Sequence, residues 1–179
     1  SRRCFCVMNK DNKPKVFLRA LEPEDLDLLY GIENNPEVWD VSPTNVPYSR
    51  YVLHNYLANT VNDIYVDKQV RFVIDADKEQ CIGLLDVVHF DPKHRRAEVS
   101  IVLRKEFRKK GLAQSALLQL LDYSLRVLHL HQLYAVVPKA NQGSVDLFTR
   151  VGFKINAELK DWLFDGENYN DAILMQYIL

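Results

Sequence analysis

Hydrophobic and polar positions along this chain follow two rhythms, one suited to strands and one to helices. Val16-Phe17-Leu18-Arg19-Ala20-Leu21 is a short apolar run that reads as a strand, and Glu22-Pro23-Glu24-Asp25 then supplies acids suited to a helix start. Residues 24–34 follow at helical spacing, with Leu26, Leu29, Tyr30 and Ile32 near one face, until Asn35-Pro36 stops them. Residues 36–47 carry Trp39, Asp40, Ser42 and three prolines without a period, which predicts a loop. A second helix is expected over 49–62, where Tyr51-Val52, Tyr56-Leu57 and Val61 recur at helical intervals.

Three strands are predicted next, at about 70–75, 81–90 and 95–103. The polar turns Asp75-Ala76-Asp77-Lys78 and Asp91-Pro92-Lys93 separate them, so the block reads as an antiparallel meander. The clearest helix spans about 112–128, with Ala113, Ala116, Leu117, Leu120, Leu121, Val127 and Leu128 on one side. A short strand at 132–137, a helix at 141–151 ended by Gly152, and two strands at 154–163 and 169–177 joined through Asp165-Gly166 complete the order. The pattern predicts an α+β fold with one mixed, mostly antiparallel central sheet flanked by helices.

The chain of 179 residues suits one domain, expected over 16–179 behind a flexible polar leader at 1–15. Its formal net charge of −1 offers no general attraction to nucleic acid or an anionic membrane, and neither is expected as a partner. Cys4, Cys6 and Cys81 are too few and too oddly spaced for a disulfide framework or a metal site, so a reducing cytoplasm and no metal are expected. No apolar run approaches the ~20 residues that span a bilayer.

One junction carries candidate chemistry. A hydrophobic strand runs into Arg104-Lys105-Glu106-Phe107-Arg108-Lys109-Lys110-Gly111, and a helix begins immediately afterwards. Amides in the first turn of a helix have no acceptors within it, and the helix dipole adds positive potential there. Gly111 lets the backbone approach a ligand, and Arg108, Lys109 and Lys110 bring cations to meet a diphosphate. Neither a P-loop nor a Gly-x-Gly-x-x-Gly motif is present, which argues against nucleotide hydrolysis and dinucleotide binding. Taken alone, the segment also reads as a solvated basic turn before an amphipathic helix.

The rest of the chain favours a ligand. Arg108, Gly111 and Ala113 match the Arg/Gln-x-x-Gly-x-Gly/Ala signature of the GNAT superfamily of acyl-CoA-dependent N-acyltransferases, in that family's strand-to-helix setting. The resemblance extends to the opening Leu18-Arg19-Ala20-Leu21-Glu22-Pro23-Glu24-Asp25-Leu26, to His94-Arg95-Arg96-Ala97-Glu98, and to residues 141–153 ending in Gly152-Phe153. Within the superfamily the chain resembles the branch of spermidine and ribosomal-protein N-terminal acetyltransferases. His94-Arg95-Arg96-Ala97-Glu98 and the late run Phe164-Asp165-Gly166-Glu167-Asn168-Tyr169-Asn170-Asp171-Ala172-Ile173 are similar to the spermidine enzymes.

This resemblance implies acetyl-coenzyme A as co-substrate and acetyl transfer to a primary amine, most simply a polyamine, with a protein N-terminus as the alternative acceptor. It also implies a homo-oligomer. Ile101, Val102 and Leu103 would lend backbone groups to the pantetheine arm in the manner of an added strand. Arg108, Lys109, Lys110, Gly111, Leu112, Ala113 and Gln114 would hold the diphosphate. Asn141 would bond the arm and Ser144 would lie close to it, although Asn141 is equally well placed to cap its helix.

Many family members protonate the leaving thiolate with a tyrosine in the helix before the Gly-Phe pair. Phe148 stands at that position here and has no proton to give. Tyr134 is the alternative donor, unless it packs into the sheet as an ordinary aromatic. Glu33, Glu37, Asp40 and Asp86 are candidate partners for a cationic amine. Asp86 and Glu98, on adjacent strands, are candidate proton-handling groups, and His89 is a further candidate base. A non-catalytic acyl-CoA-binding module is the rival reading that Phe148 raises.

Overall fold

The computed structural model describes residues 16–35, 46–59, 63–76 and 79–179, with only the backbone described at 79 and 80. The expectations for the leader at 1–15 and for Cys4, Cys6, Glu37 and Asp40 lie outside the described residues.

Seven strands form one sheet: β1 (Val16–Ala20), β2 (Val70–Ala76), β3 (Glu79–Asp91), β4 (Arg96–Leu103), β5 (Gln132–Pro138), β6 (Lys154–Phe164) and β7 (Tyr169–Ile178). Their spatial order is β1-β2-β3-β4-β5-β7-β6. Every neighbouring pair is antiparallel except β4 with β5, which run parallel. The helices are α1 (Leu26–Glu33), α2 (Arg50–Asn59), α3 (Ile64–Asp67), α4 (Leu112–Arg126) and α5 (Gln142–Val151). The predicted mixed sheet, the β2-β3-β4 meander and the β6-β7 hairpin are all present.

Strand alternation sorts side chains onto two faces. The larger core gathers Val16, Leu18, Phe72, Ile74, Leu85, Val87, Ala97 and Val99 with Ala116, Leu117 and Leu120 of α4 and Val145, Phe148 and Val151 of α5. The smaller core covers the opposite face, where Leu29 of α1 and Leu53 of α2 meet Val73 and Leu84, with Val102 packed beside them. The alternate positions of β2, β3 and β4 on this second face carry polar groups, and the candidate site lies there.

Several boundaries differ from the sequence reading. Pro23–Asp25 forms a 3-10 turn that hands over to α1, because Arg19 draws Asp25 into a buried ion pair there. The helix expected over 49–62 is present as Arg50–Asn59, and its last three expected positions lie outside the described residues. The four-residue α3, begun by the Asp63 carboxylate accepting the Tyr65 N–H, was not anticipated, since one turn is too short to show a period. Val127, expected on the inner face of α4, is 56% exposed because it caps the helix end. In α2, Leu53 is the buried residue while Tyr51 and Val52 face outward.

Candidate active site

The site begins where β4 and β5 part. Their parallel pairing runs Arg96↔Gln132, Ala97↔Leu133 and Glu98↔Tyr134, and stops there. Beyond Glu98, β4 stays paired to β3 through Leu103, while β5 stays paired to β7 through Pro138. The residues from Val99 to Leu103 therefore have a sheet neighbour on one side only.

Alternation decides which backbone groups face the opening. The Arg104 N–H donates to Ile82 of β3, whereas the Arg95 carbonyl accepts from His131 on the β5 side. Val99, Ile101 and Leu103 thus direct their amides and carbonyls into the gap, and Val102, opposite Leu84, directs its own toward β3. Of the three residues expected to offer backbone groups, Ile101 and Leu103 face the opening and Val102 does not. The Leu103 carbonyl accepts from Nε of Arg108 at 3.0 Å, which ties the basic turn back to the strand end.

Lys109 and Gly111 both take left-handed backbone angles, with φ of 61° and 76°, and Gly111 caps α4. No side chain caps that helix, so the amides of Leu112, Ala113 and Gln114 point out of its first turn without acceptors inside it. Arg104 is bonded to Glu106, while Arg108, Lys109 and Lys110 form no ion pair with a carboxylate among the described residues. Lys110 lies 5.9 Å from the centre of the Phe107 ring. Free amides, unneutralised lysines and an unpaired strand edge in sequence fit a diphosphate whose attached arm lies along β4.

A second group of residues lies on the α1–α2 face of the sheet. Arg71 stands opposite Asp86 across β2 and β3. Its Nε and Nη2 donate to the two Asp86 oxygens at 2.6 and 3.0 Å, and its Nη1 donates to Glu33 at 2.7 Å. Glu33 and Asp86 are thereby brought together as expected for a shared site, but through a cation that the sequence reading did not single out. The available signal was its alternation with Val73, which places a charge on an inward-facing row.

Arg71 and Asp86 line a cavity of about 310 Å³ together with Tyr56, Asp67 and Gln69. Burial pushes the Tyr56 phenol above its ordinary value, so it stays protonated at neutral pH.

On β4, opposite Val88 of the cavity wall, Glu98 is 19% exposed and lies 2.8 Å from Nδ1 of His89. His89 is exposed and left-handed, with φ of 51°, in the bulge where the β3–β4 register shifts. Across the sheet from Glu98 stands Tyr134, half-buried. Burial, followed by the neighbouring Glu98 charge, raises the Tyr134 pKa and keeps its phenol protonated.

Asn141 caps α5, its Oδ1 accepting the Ser144 N–H at 3.1 Å, so the capping alternative describes its side chain in this state. Phe148 is 4% exposed and packs edge-on against Phe153 in the larger core, away from solvent.

Known proteins share this arrangement. The family model described as "Acetyltransferase (GNAT) domain" matches residues 15–154. Spermidine N(1)-acetyltransferase of Escherichia coli (strain K12) is 34% identical over 169 residues, which span 89% of this chain and 84% of that protein. The crystal structure of spermidine N-acetyltransferase from Vibrio cholerae in complex with CoA and spermine superposes with a TM-score of 0.81 at 28% identity, covering 93% of this chain and 96% of that one. The dodecameric structure of the Vibrio cholerae enzyme in an intermediate state gives a TM-score of 0.77 at 30% identity, over 93% and 95% of the two chains. With the parted strands, the left-handed glycine and the uncapped helix in place, the chain belongs to the GNAT acetyltransferase family.

Proposed function

We propose that this protein transfers the acetyl group of acetyl-CoA to a primary amine of a polyamine. The observation that carries the reading is the pairing of two adjoining features: an unpaired β4 edge leading to uncapped helix amides, and an acid-lined cavity on the same sheet. A polyamine is a chain of cations on an apolar stem. Asp67 and Asp86 at the wall of a cavity, with Tyr56 and Val88 beside them and Glu33 behind Arg71, suit such a stem and its charges. The relatives named for spermidine acetylation support the same choice of acceptor.

Acetyl-CoA supplies the acyl group as a thioester. The amides of Leu112, Ala113 and Gln114 with Lys109, Lys110 and Arg108 hold the diphosphate, and Ile101 and Leu103 offer backbone groups to the arm. Asn141 and Ser144 lie at the start of α5, beyond the far end of β5, and are assigned to the arm's other side. An ammonium has no lone pair, and an ordinary primary amine has a pKa of about 10, so a proton must leave before attack. Glu98, bonded to His89 at the point where the strands part, is the acceptor for that proton. Tyr134, held protonated and directly opposite, is the donor for the leaving thiolate, a role Phe148 cannot fill. Asp86, with both oxygens held by Arg71, is assigned to charge and orientation rather than to proton transfer.

Glu37 and Asp40 are proposed as further partners for the charges of the amine. The sparse cysteines support a cytoplasmic setting, and the dodecameric relative supports a homo-oligomer.

Thiol release from acetyl-CoA in the presence of spermidine, spermine or an N-terminal peptide tests the reading. Turnover with the amines and not the peptide is expected. Turnover with the peptide alone points to the N-terminal activity, and silence with every acceptor despite tight CoA binding points to a non-catalytic module.

A further inference from the structure

Arg71 places a cation inside a site for cations. Its three donors engage both oxygens of Asp86 and one of Glu33, and the three side chains are 23%, 19% and 19% exposed. Two carboxylates and one guanidinium leave a single negative charge where the two acids alone would present two. The guanidinium fork also fixes where that charge lies. Glu33 is the last residue of α1, so the same bond fastens the end of that helix to the sheet. A salt bridge serving stability alone needs one carboxylate and has no reason to face a cavity, yet Arg71 and Asp86 both line it, with Asp67 in the same wall.

We infer that Arg71 is a specificity-determining residue, which sets the net charge of the acceptor cavity and thereby limits its preference for highly charged amines. The inference rests on the amine-acetylating reading above. Each ammonium of a bound amine gains Coulomb attraction in proportion to the net charge it meets. For partly wetted groups a few ångströms apart, one charge more or less changes binding about fivefold. With Arg71 in place the cavity meets amines as a weak anion and separates a diamine from a tetramine only modestly. Without it, the uncovered carboxylates favour the amine that carries the most charges.

The test is the KM for a diamine, a triamine and a tetramine of matched methylene spacing, at saturating acetyl-CoA. In Arg71→Gln the ratio of diamine KM to tetramine KM is expected to rise about fivefold or more. Arg71→Lys, which keeps the charge, is expected to hold the ratio near that of the unaltered protein. The double variant Arg71→Gln/Glu33→Gln, which restores the net charge of the unaltered cavity, is expected to bring it back. If Arg71→Gln does not fold, Glu33→Gln alone carries the test in the opposite sense, since it removes one negative charge and should lower the ratio. An unmoved ratio overturns the inference, as does a uniform rise in KM for all three amines that the double variant does not reverse. If the unaltered protein acetylates none of the amines, the proposed function fails separately. The ratio of calorimetric dissociation constants for the same three amines then decides the role of Arg71.

Discussion

Glu98 and Tyr134 face each other across the last rung that joins β4 to β5, immediately before the two strands separate. A carboxylate and a protonated phenol are thereby held at the apex of the opening by backbone pairing between strands, the geometry that the proposed proton transfer needs.

Tyr134→Phe keeps the packing and removes the hydroxyl. Since Phe148 is sealed in the core, no phenol at the family's usual position can compensate. The kcat is expected to fall at least about tenfold with KM for acetyl-CoA little changed, as measured by steady-state thiol release. The raised pKa of Tyr134 sets the sign of the pH dependence: the donor is lost only as pH rises past its native value, which lies above the ordinary phenol value of 10.0. Activity of the unaltered protein should therefore persist through pH 9, and an alkaline limb centred near neutrality would remove Tyr134 from this role.

Arg108→Ala removes both a cation beside the α4 N-terminus and the bond from Nε to the Leu103 carbonyl. The apparent KM for acetyl-CoA is expected to rise well above any change in KM for the amine. Equal shifts in both would show that the turn only supports the fold.

Gly83 stands opposite Leu103, where a Cβ would meet the Val102 carbonyl oxygen at 2.3 Å and the Leu103 Cδ2 at 2.7 Å. Gly83→Ala must push β4 aside. A loss of about 1–3 kcal/mol in unfolding free energy is expected from this overpacking, by denaturant titration, together with weaker CoA binding because the displaced strand end is the one that borders the opening.

Arg19 and Asp25 are each 3% exposed and joined by two hydrogen bonds, 2.8 and 2.9 Å long, with Asp75 and Cys81 completing the cluster. Burial alone would raise the Asp25 pKa, but the bonds from Arg19, Cys81 and the Glu22 amide outweigh it and lower the value. A depressed native pKa means that the stabilisation is complete above the unfolded value of about 3.9 and disappears as pH falls through the native one. Asp25→Asn is expected to cost about 3–5 kcal/mol at neutral pH by leaving Arg19 partly uncompensated. The difference in Tm between the variant and the unaltered protein should shrink as the pH is taken below about 4. A constant difference across that range would exclude Asp25 as its source. The Cys81 thiol, pushed up to about 12 first by burial and then by Asp25, should resist alkylation in the folded protein.

Local signals made the outline readable. Short apolar runs between polar turns marked β1 to β7, the long apolar stripe marked α4, and Gly111, Gly152 and the Asp165-Gly166 turn marked where elements change, because these features depend on a few consecutive residues. The Arg108, Gly111 and Ala113 signature pointed to the helix amides for the same reason. What the chain order does not contain is which edges stay unpaired. That β4 and β5 run parallel for three rungs and then part is a property of the whole sheet, as is the turning of Ile101 and Leu103, but not Val102, into the gap. Arg71 meets Glu33 across 38 positions and Asp86 across 15, a contact that alternation hints at and only the assembled face produces. Sequence determined the elements and the basic turn before α4, through local backbone preference and hydrophobic period. The tertiary structure decided the charges that gather at the cavity beside Arg71 and the partners at the strand fork, because long-range pairing alone sets the distances between those groups.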